Sequence, residues 1–144
     1  RQMEALTQRL STLGFELIDN QKHLQIEKIK TDFVFQPSQL ILPSIDEEGV
    51  RMASSLEIAA MKIGAITARG RKRDFVDLYC LLNLYPLSDI LKSFLSKYPD
   101  ASMELAMRSL FYFEDADQDI DPACFFDFDW SNVKDKIKSE ASKI

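Results

Sequence analysis

The segment Ala53–Leu84 constrains the fold most, because it predicts two consecutive helices and contains the densest charged chemistry of the chain. Ser54 followed by Glu57 is the pattern of a capping box, in which each side chain binds a backbone N–H group at the start of a helix. We therefore expect a helix from about Ser55. Apolar residues cover nearly all of its wheel, which predicts a helix with almost no solvated side. They are Leu56, Ile58, Ala59, Ala60, Met61, Ile63, Ala65 and Ile66.

Charged residues occupy the narrow stripe of this helix that apolar residues do not cover. Charged residues also occupy the start of the next predicted helix. Lys62 and Arg69 are seven residues apart and share one side of the first helix. Asp74 and Asp77 are three apart on the second, a spacing that leaves their Cβ atoms about 5–6 Å from each other. Cations on a mostly buried helix need partners. We therefore expect the Lys62 amine to approach one of the two carboxylates.

The basic turn between the two helices has two interpretations. Residues 69–73 read Arg-Gly-Arg-Lys-Arg, so four of the five are cationic. They suit a local contact with phosphate, or they form a solvated turn in which Arg73 pairs with Asp77 at i,i+4. Structural ion-pair networks and functional sites give the same pattern. Spacing alone leaves both interpretations open.

Residues 59–79 resemble the last motif of the AbiEii/AbiGii toxin family of nucleotidyltransferases. That motif is a helix with a lysine, an arginine-rich turn, and then Arg/Lys-Asp-x-x-Asp-Leu. Its positions fall here on Lys62, Arg69, Arg73, Asp74, Asp77 and Leu78. Ile29–Phe33 is similar to the Lys-x-Asp-Phe strand of the family, and Leu110–Asp117 and Trp130–Lys134 are also familial. The resemblance covers most of the chain.

The resemblance implies transfer of a nucleotide from a nucleoside triphosphate to an RNA or protein acceptor. It also implies a toxin of a toxin–antitoxin or phage-defence system, with a cognate antitoxin as a partner. Metal ions and cations neutralise the triphosphate in such reactions, and Mg²⁺ is the expected cofactor. The implied catalytic residues are Asp32, Lys62, Asp74 and Asp77, with Asp32 as the metal ligand. The implied substrate-binding residues are Lys30, Arg69, Lys72 and Arg73.

One part of the family pattern is missing from this sequence. Family members carry, before these motifs, a Gly-Ser turn and an Asp-x-Asp strand that holds the catalytic metal, and no such segment precedes them here. We therefore expect this chain to be the C-terminal portion of a longer protein and to be inactive alone. The alternative is a non-catalytic helical module that binds an antitoxin or another protein partner.

The sequence as a whole predicts an α+β fold. Residues 1–36 are expected to form a helix, about Gln2–Leu13, and strands that complete a nucleotidyltransferase sheet. Alternation around Asp32 predicts a half-buried strand that reaches Phe35, with His23 on a strand surface. Residues 37–49 are expected to be a connecting loop. Residues 50–144 are expected to form five helices, in one compact unit with the first part.

Composition supports a folded chain without a membrane span. The sequence is 46% apolar and 28% charged, and no apolar run approaches the roughly 20 residues that a transmembrane helix needs. The cytoplasm is therefore the expected location. A net charge of −5 argues against non-specific nucleic-acid binding by the whole surface. Cys80 and Cys124 lack the paired spacing of a zinc site and are expected to be free thiols.

Acidic residues alternate along the segment 115–121, as they do at the start of a calcium loop. Ile120 and Phe126 stand where such a loop requires Gly and a bidentate Glu, so the calcium interpretation fails. We expect instead a solvated acidic loop. The residues expected to anchor it on the core are Phe125, Phe126, Phe128 and Trp130.

Overall fold

The chain is described here from a computed structural model that covers residues 2–15, 17–19, 24–26, 29–34 and 38–144. Contacts divide the chain into two compact units, Arg1–Pro37 and Ser38–Ile144, and each is described by itself. Helices and antiparallel strands both occur, which confirms the α+β class. Among the described residues, no helix combines the length and the apolar character needed to cross a bilayer.

The first unit contains one helix and a small antiparallel sheet. Helix α1 spans Gln2–Thr12 and agrees with the prediction to within one residue. Strands β1 (Leu17–Asp19), β2 (Leu24–Ile26) and β3 (Ile29–Thr31) follow in the order β1-β2-β3. Each strand pairs with its neighbour along the chain, so the sheet is a meander.

The third strand is shorter than the alternation predicts. Strand β3 ends at Thr31, so Asp32 follows the strand and does not lie within it. Ile29 and Phe33 are 68% and 44% exposed. The prediction of a half-buried strand through Asp32 is therefore wrong for the described residues, because β3 ends at Thr31 and these two apolar side chains are largely exposed. His23 lies outside the described residues.

The second unit begins with a β-hairpin that the sequence patterns did not predict. Strands β4 (Ile45–Glu47) and β5 (Val50–Met52) pair antiparallel and are joined by the two residues between them. Glu48 and Gly49 both have positive φ angles, 51° and 81°, which is the geometry of a type I′ turn. The prediction of a connecting loop over 37–49 is wrong at this hairpin, because Glu-Gly is a weaker turn signal than Asn-Gly.

Six helices complete the second unit, residues 38–144. Their bounds are α2 Ser55–Arg69, α3 Lys72–Leu81, α4 Leu87–Lys97, α5 Met103–Ser109, α6 Glu114–Asp117 and α7 Trp130–Ala141. The number of helices exceeds the predicted five by one, because the short α6 is separate from α5. Helix α2 packs against α3, α4 and α5, while α3 also packs against α6 and α7.

The core of this unit surrounds α2 and α3. Ala59 and Ala60 are fully buried, and their small side chains let the neighbouring helices approach α2 closely. Phe75 of α3 is also fully buried and contacts Phe113, with ring centroids 4.7 Å apart. Burial of a large apolar side chain stabilises a fold by about 1.5–3 kcal/mol. One prediction for α2 is wrong, since Ile58 is 39% exposed.

The two cysteines are free and half-buried. Burial raises the pKa of the Cys80 thiol above its ordinary value, and the negative charge of Asp77 raises it further. A raised pKa leaves less thiolate at neutral pH, and the thiolate is the nucleophilic form. The structure confirms the prediction of free thiols.

Polar contacts join α6 to α7 on either side of the segment between them, and two aromatic residues of that segment are exposed. Phe125 is fully exposed and Phe126 is 45% exposed, so the prediction that they anchor the segment is wrong. Phe128 and Trp130 do pack against the core. Asp117 accepts hydrogen bonds from the Trp130 indole at 2.7 Å and from the Lys134 amine at 2.9 Å.

These contacts predict that Asp117 stabilises the fold at neutral pH and that this contribution is lost in acid. The hydrogen bond from Trp130, followed by that from Lys134, holds the pKa of Asp117 below its ordinary value of 3.8. A carboxyl with a lowered pKa in the folded state stabilises the fold above its unfolded pKa, and that stabilisation is lost as pH falls through the folded pKa. We expect Asp117→Asn to flatten the dependence of the unfolding free energy on pH below about pH 4.

Urea unfolding between neutral pH and acid, followed by circular dichroism, measures this effect. Asp135→Asn is the matched control, since Asp135 is an exposed residue of α7. An unchanged pH dependence in Asp117→Asn would contradict the prediction. A change of equal size in both variants would assign the effect to general charge.

Candidate functional site

The candidate site lies where α2 ends and α3 begins. Ser54 accepts a hydrogen bond from the Glu57 N–H at 3.2 Å, and the helix it caps runs to Arg69. Gly70 ends the helix in the left-handed region, with φ 53°, where a residue with a Cβ would be strained. Arg71 is extended and starts α3. The tight turn places the last turn of α2 beside the first turn of α3.

The Lys62 amine lies between two carboxylates, as the helical spacing predicted. Its Nζ atom is 3.2 Å from an oxygen of Asp74 and 2.5 Å from an oxygen of Asp77. The Lys62 side chain is 25% exposed and that of Asp77 is 49% exposed, whereas Asp74 is fully buried. The Lys62 side chain is therefore partly exposed, and its amine is fixed by two carboxylates.

Arg69 completes this cluster by binding both oxygens of Asp74. Its Nε lies 3.0 Å from one oxygen and its Nη2 lies 3.2 Å from the other. A guanidinium that binds a carboxylate in this forked manner is well oriented. Each oxygen of Asp74 therefore has a cationic partner, which is what a fully buried carboxylate requires. We call Lys62, Arg69, Asp74 and Asp77 the Lys62 cluster.

Arg73 and Lys72, both predicted to bind substrate, differ in their exposure to solvent. Arg73 is exposed, and among the residues that the structure describes it forms no ion pair. The solvated-turn interpretation predicts an i,i+4 pair between Arg73 and Asp77. This pair is not formed, because Asp77 binds Lys62. Lys72 is buried and is bound within the protein. Its amine lies 2.7 Å from the Asp119 carbonyl oxygen and 3.0 Å from an Asp121 carboxylate oxygen.

The acidic segment after α6 is therefore a partner of the basic turn. The Asp119 carboxylate accepts hydrogen bonds from the Lys72 backbone N–H at 2.9 Å and pairs with Arg71 at 2.8 Å. The expectation of a solvated acidic loop is wrong at Asp119, whose side chain is only 15% exposed. Sequence patterns missed this contact because the two segments are far apart in the chain.

Two of the predicted site residues, Lys30 and Asp32, belong to the first unit. Lys30 belongs to β3, and its side chain lies outside what the structure describes. Asp32 is exposed and immediately follows that strand. Since the two units are described separately, the implied presence of Asp32 and Lys62 in one catalytic site stays a prediction.

A buried ion pair on the other side of α2 was not predicted. The Glu57 carboxylate accepts hydrogen bonds from the Ile41 and Leu42 N–H groups and lies 2.5 Å from the Lys97 amine, which also donates to the Gln39 carbonyl. Both charged side chains are fully buried. The capping-box prediction is therefore correct for the Ser54 side chain and wrong for Glu57, whose carboxylate binds these partners and not the Ser54 N–H group. One signal was available: Lys97 follows Phe94 by three residues on the apolar stripe of α4.

The described residues do not supply a magnesium site by themselves. They include no group of three His, Cys, Asp or Glu side chains placed to hold a metal ion. Asp74 has cations on both oxygens, and the contact of Asp77 is to Lys62. Magnesium needs several oxygen ligands that are not already paired. The two carboxylates of the Lys62 cluster are instead engaged by the cations Lys62 and Arg69.

The Lys62 cluster is a group of cations held by carboxylates, an arrangement that occurs both in phosphate sites and in structural ion-pair networks. Comparison with known families shows to which family the chain belongs. The sequence model of "Nucleotidyl transferase AbiEii toxin, Type IV TA system" matches residues 7–143, and the chain belongs to this family. Nucleotidyltransferases of the family generally use a divalent metal.

A curated relative matches over part of its length. "Uncharacterized protein aq_aa25" of Aquifex aeolicus (strain VF5) is 33% identical over an alignment of 101 residues, and the match covers 66% of this chain and 46% of that protein. The chain thus spans about half the length of the curated relative it matches. No solved structure matches the chain.

Proposed function

We propose that the complete protein transfers a nucleotide from a nucleoside triphosphate to an acceptor, and that the Lys62 cluster binds the triphosphate. The observation that carries this proposal is the position of Lys62, whose side chain is partly exposed and whose amine lies between Asp74 and Asp77. An amine held in this way can exchange one carboxylate oxygen for a phosphate oxygen without losing its orientation.

The burial of the two carboxylates supports separate roles for them. Asp74 is fully buried and binds both Lys62 and Arg69, so its role is to orient the cations. Asp77 is 49% exposed and contacts only the Lys62 amine among the ion pairs of the described residues. When phosphate takes the place of Asp77 on Lys62, the Asp77 carboxylate is released beside the substrate. It is then able to accept the proton of an acceptor hydroxyl.

The reaction is a phosphoryl-type substitution. The acceptor oxygen forms a bond to the α-phosphorus, the bond from that phosphorus to the bridging oxygen breaks, and pyrophosphate leaves. Lys62 and Arg69 offset the negative charge of the phosphates, and Arg73 is an exposed cation beside them. Lys72 is left out of this set, because its amine is already bound to Asp119 and Asp121.

Other parts of the proposal concern the complete protein. Asp32 keeps its proposed role as a metal carboxylate, and Lys30 its proposed role in substrate binding. The acceptor is an RNA end or a protein hydroxyl, and a cognate antitoxin is the partner that restrains the toxin. The proposed place of action is the cytoplasm, in a toxin–antitoxin or phage-defence system.

Transfer of label from each α-labelled nucleoside triphosphate, with magnesium, tests the proposal. The complete protein and the 144-residue chain are assayed in parallel on total RNA and on total protein. We expect the complete protein to label one acceptor class and the shorter chain to label neither. Absence of labelling by both would favour a non-catalytic module that binds an antitoxin. Labelling by the shorter chain would show that its carboxylates suffice.

A further inference from the structure

An open cavity of about 950 Å³ lies beside the Lys62 cluster and is not part of it. Three arginines, Arg69, Arg71 and Arg73, line one wall, and residues 118–123 line the other. Arg69 belongs to both places, since the residue lines the cavity and its guanidinium binds Asp74. The cavity is thus connected to the proposed triphosphate site through one shared side chain.

The three arginines of the cavity are not equally available to a ligand. Arg69 is committed to Asp74 through two hydrogen bonds. Arg71 is committed to Asp119 through one short contact, while its own side chain is 56% exposed. Arg73 is exposed and forms no ion pair within the described part of the chain. The cavity therefore presents one open cation and one that is held by an internal carboxylate.

Asp119 is placed as a bound anion would be. One of its carboxylate oxygens accepts from the Lys72 N–H at the start of α3, and the other lies 2.8 Å from Arg71. Arginine and a helix-terminal N–H group together are common partners of phosphate. The side chain of Asp119 thus uses the contacts that a phosphate group in this cavity would seek.

We propose that the cavity binds part of a phosphate chain through Arg73, and that Asp119 is an internal competitor that limits this binding by occupying Arg71. The inference rests on the proposed function, since the triphosphate of a nucleotide is the phosphate chain in question. Asp119 makes the affinity of the cavity lower than its three arginines allow. It thereby favours release of a bound phosphate chain.

Calorimetry of the 144-residue chain with inorganic tripolyphosphate, at low ionic strength and without metal, tests this competition. We expect Asp119→Asn to bind tripolyphosphate about three- to tenfold more tightly, because Arg71 is released to a phosphate oxygen. The asparagine oxygen still accepts from the Lys72 N–H. Adenosine triphosphate and orthophosphate are titrated in parallel, to separate a nucleotide and a single phosphate from an extended chain.

Two control variants separate competition for Arg71 from a general change of charge. Asp121→Asn removes a negative charge from the same cavity wall, but Asp121 pairs with Lys72 and not with an arginine. We expect it to change the affinity less than twofold, which is about 0.4 kcal/mol or less. In an Arg71→Gln background, the gain from Asp119→Asn is expected to disappear, as a double-mutant cycle requires for a direct pair.

The inference is overturned if Asp119→Asn binds no more tightly than the unchanged chain, or if its gain persists without Arg71. If Asp119→Asn does not fold, Asp119→Ser serves, because serine also accepts a hydrogen bond from a helix-terminal N–H group. Failure of this test leaves nucleotide transfer by the complete protein untouched. Loss of transfer there would instead contradict the proposed function.

Discussion

Glu57→Gln is expected to lower the free energy of unfolding by about 3 kcal/mol, because it leaves a charged amine buried without its carboxylate. Lys97 is fully buried, and Glu57 is its ion-pair partner at 2.5 Å. Removal of one member of a buried pair generally costs about 3–5 kcal/mol. Urea unfolding at neutral pH, followed by circular dichroism, gives the difference between the variant and the unchanged chain.

An exposed ion pair of the same unit provides the control. Glu104 and Arg108 are 2.6 Å apart at i,i+4, and their side chains are 74% and 76% exposed. Glu104→Gln is expected to cost less than about 0.5 kcal/mol, since water replaces the lost partner. Equal losses in the two variants would mean that burial of the Glu57 carboxylate does not determine the cost.

A paired replacement distinguishes an uncompensated charge from a loss of packing. Glu57→Leu combined with Lys97→Met removes both charges and keeps similar volumes. Such replacements of buried pairs are often neutral or stabilising by about 1–4 kcal/mol. Here the Ile41 and Leu42 N–H groups also lose their acceptor, so we expect the double variant to be less stable than the unchanged chain but more stable than Glu57→Gln.

The second large effect concerns activity. Lys62→Gln in the complete protein is expected to lower kcat/KM for nucleotide transfer by about 10²–10³, as for the loss of one fixed donor to developing charge. The side chain is only partly buried, so the thermal midpoint should move by a few degrees at most. Label transfer at subsaturating triphosphate measures the rate, and calorimetry measures the midpoint.

Lys92→Gln is the matched control for this variant, since it makes the same change of charge at an exposed position of α4. We expect it to retain full activity. Retained activity in Lys62→Gln would contradict a role for the amine in the reaction. Unfolding of Lys62→Gln would make its amine a structural counterion of Asp74, and Asp77→Asn would then test the site without disturbing the buried carboxylate.

Local patterns predicted the Lys62 cluster because its members lie on two helices joined by a short turn. The distance from Lys62 to Asp74 follows from helical spacing, and the motif supplied their resemblance to the family. Glu57 and Lys97 are 40 residues apart, and no local period relates them. Glu57 follows Ser54 by three residues, a spacing that predicts a capping box. In the structure, the Glu57 carboxylate binds the distant Lys97 amine.

Lys72 shows the same limit within the candidate site. In the sequence it is one of four similar cations, and nothing local separates it from Arg73. Its partners Asp119 and Asp121 lie 47 and 49 residues further along the chain. The prediction that Phe125 and Phe126 anchor the acidic loop was wrong for a related reason. Hydrophobic residues close to a core in sequence need not be buried in it. Phe125 points into solvent, while the polar contacts of Asp117 and Asp119 hold the segment.

The buried Glu57 carboxylate has a consequence for the cooperativity of the fold. Ile41 and Leu42 lie outside any helix or strand, and amides in such segments usually exchange with solvent through small local openings. Here their N–H groups end on a carboxylate that is sealed between α2 and α4. Hydrogen exchange at these two amides therefore requires α2 and α4 to separate locally, which exposes the buried charges of Glu57 and Lys97 together. The segment is thus part of the same cooperative unit as the helices, although its backbone is irregular.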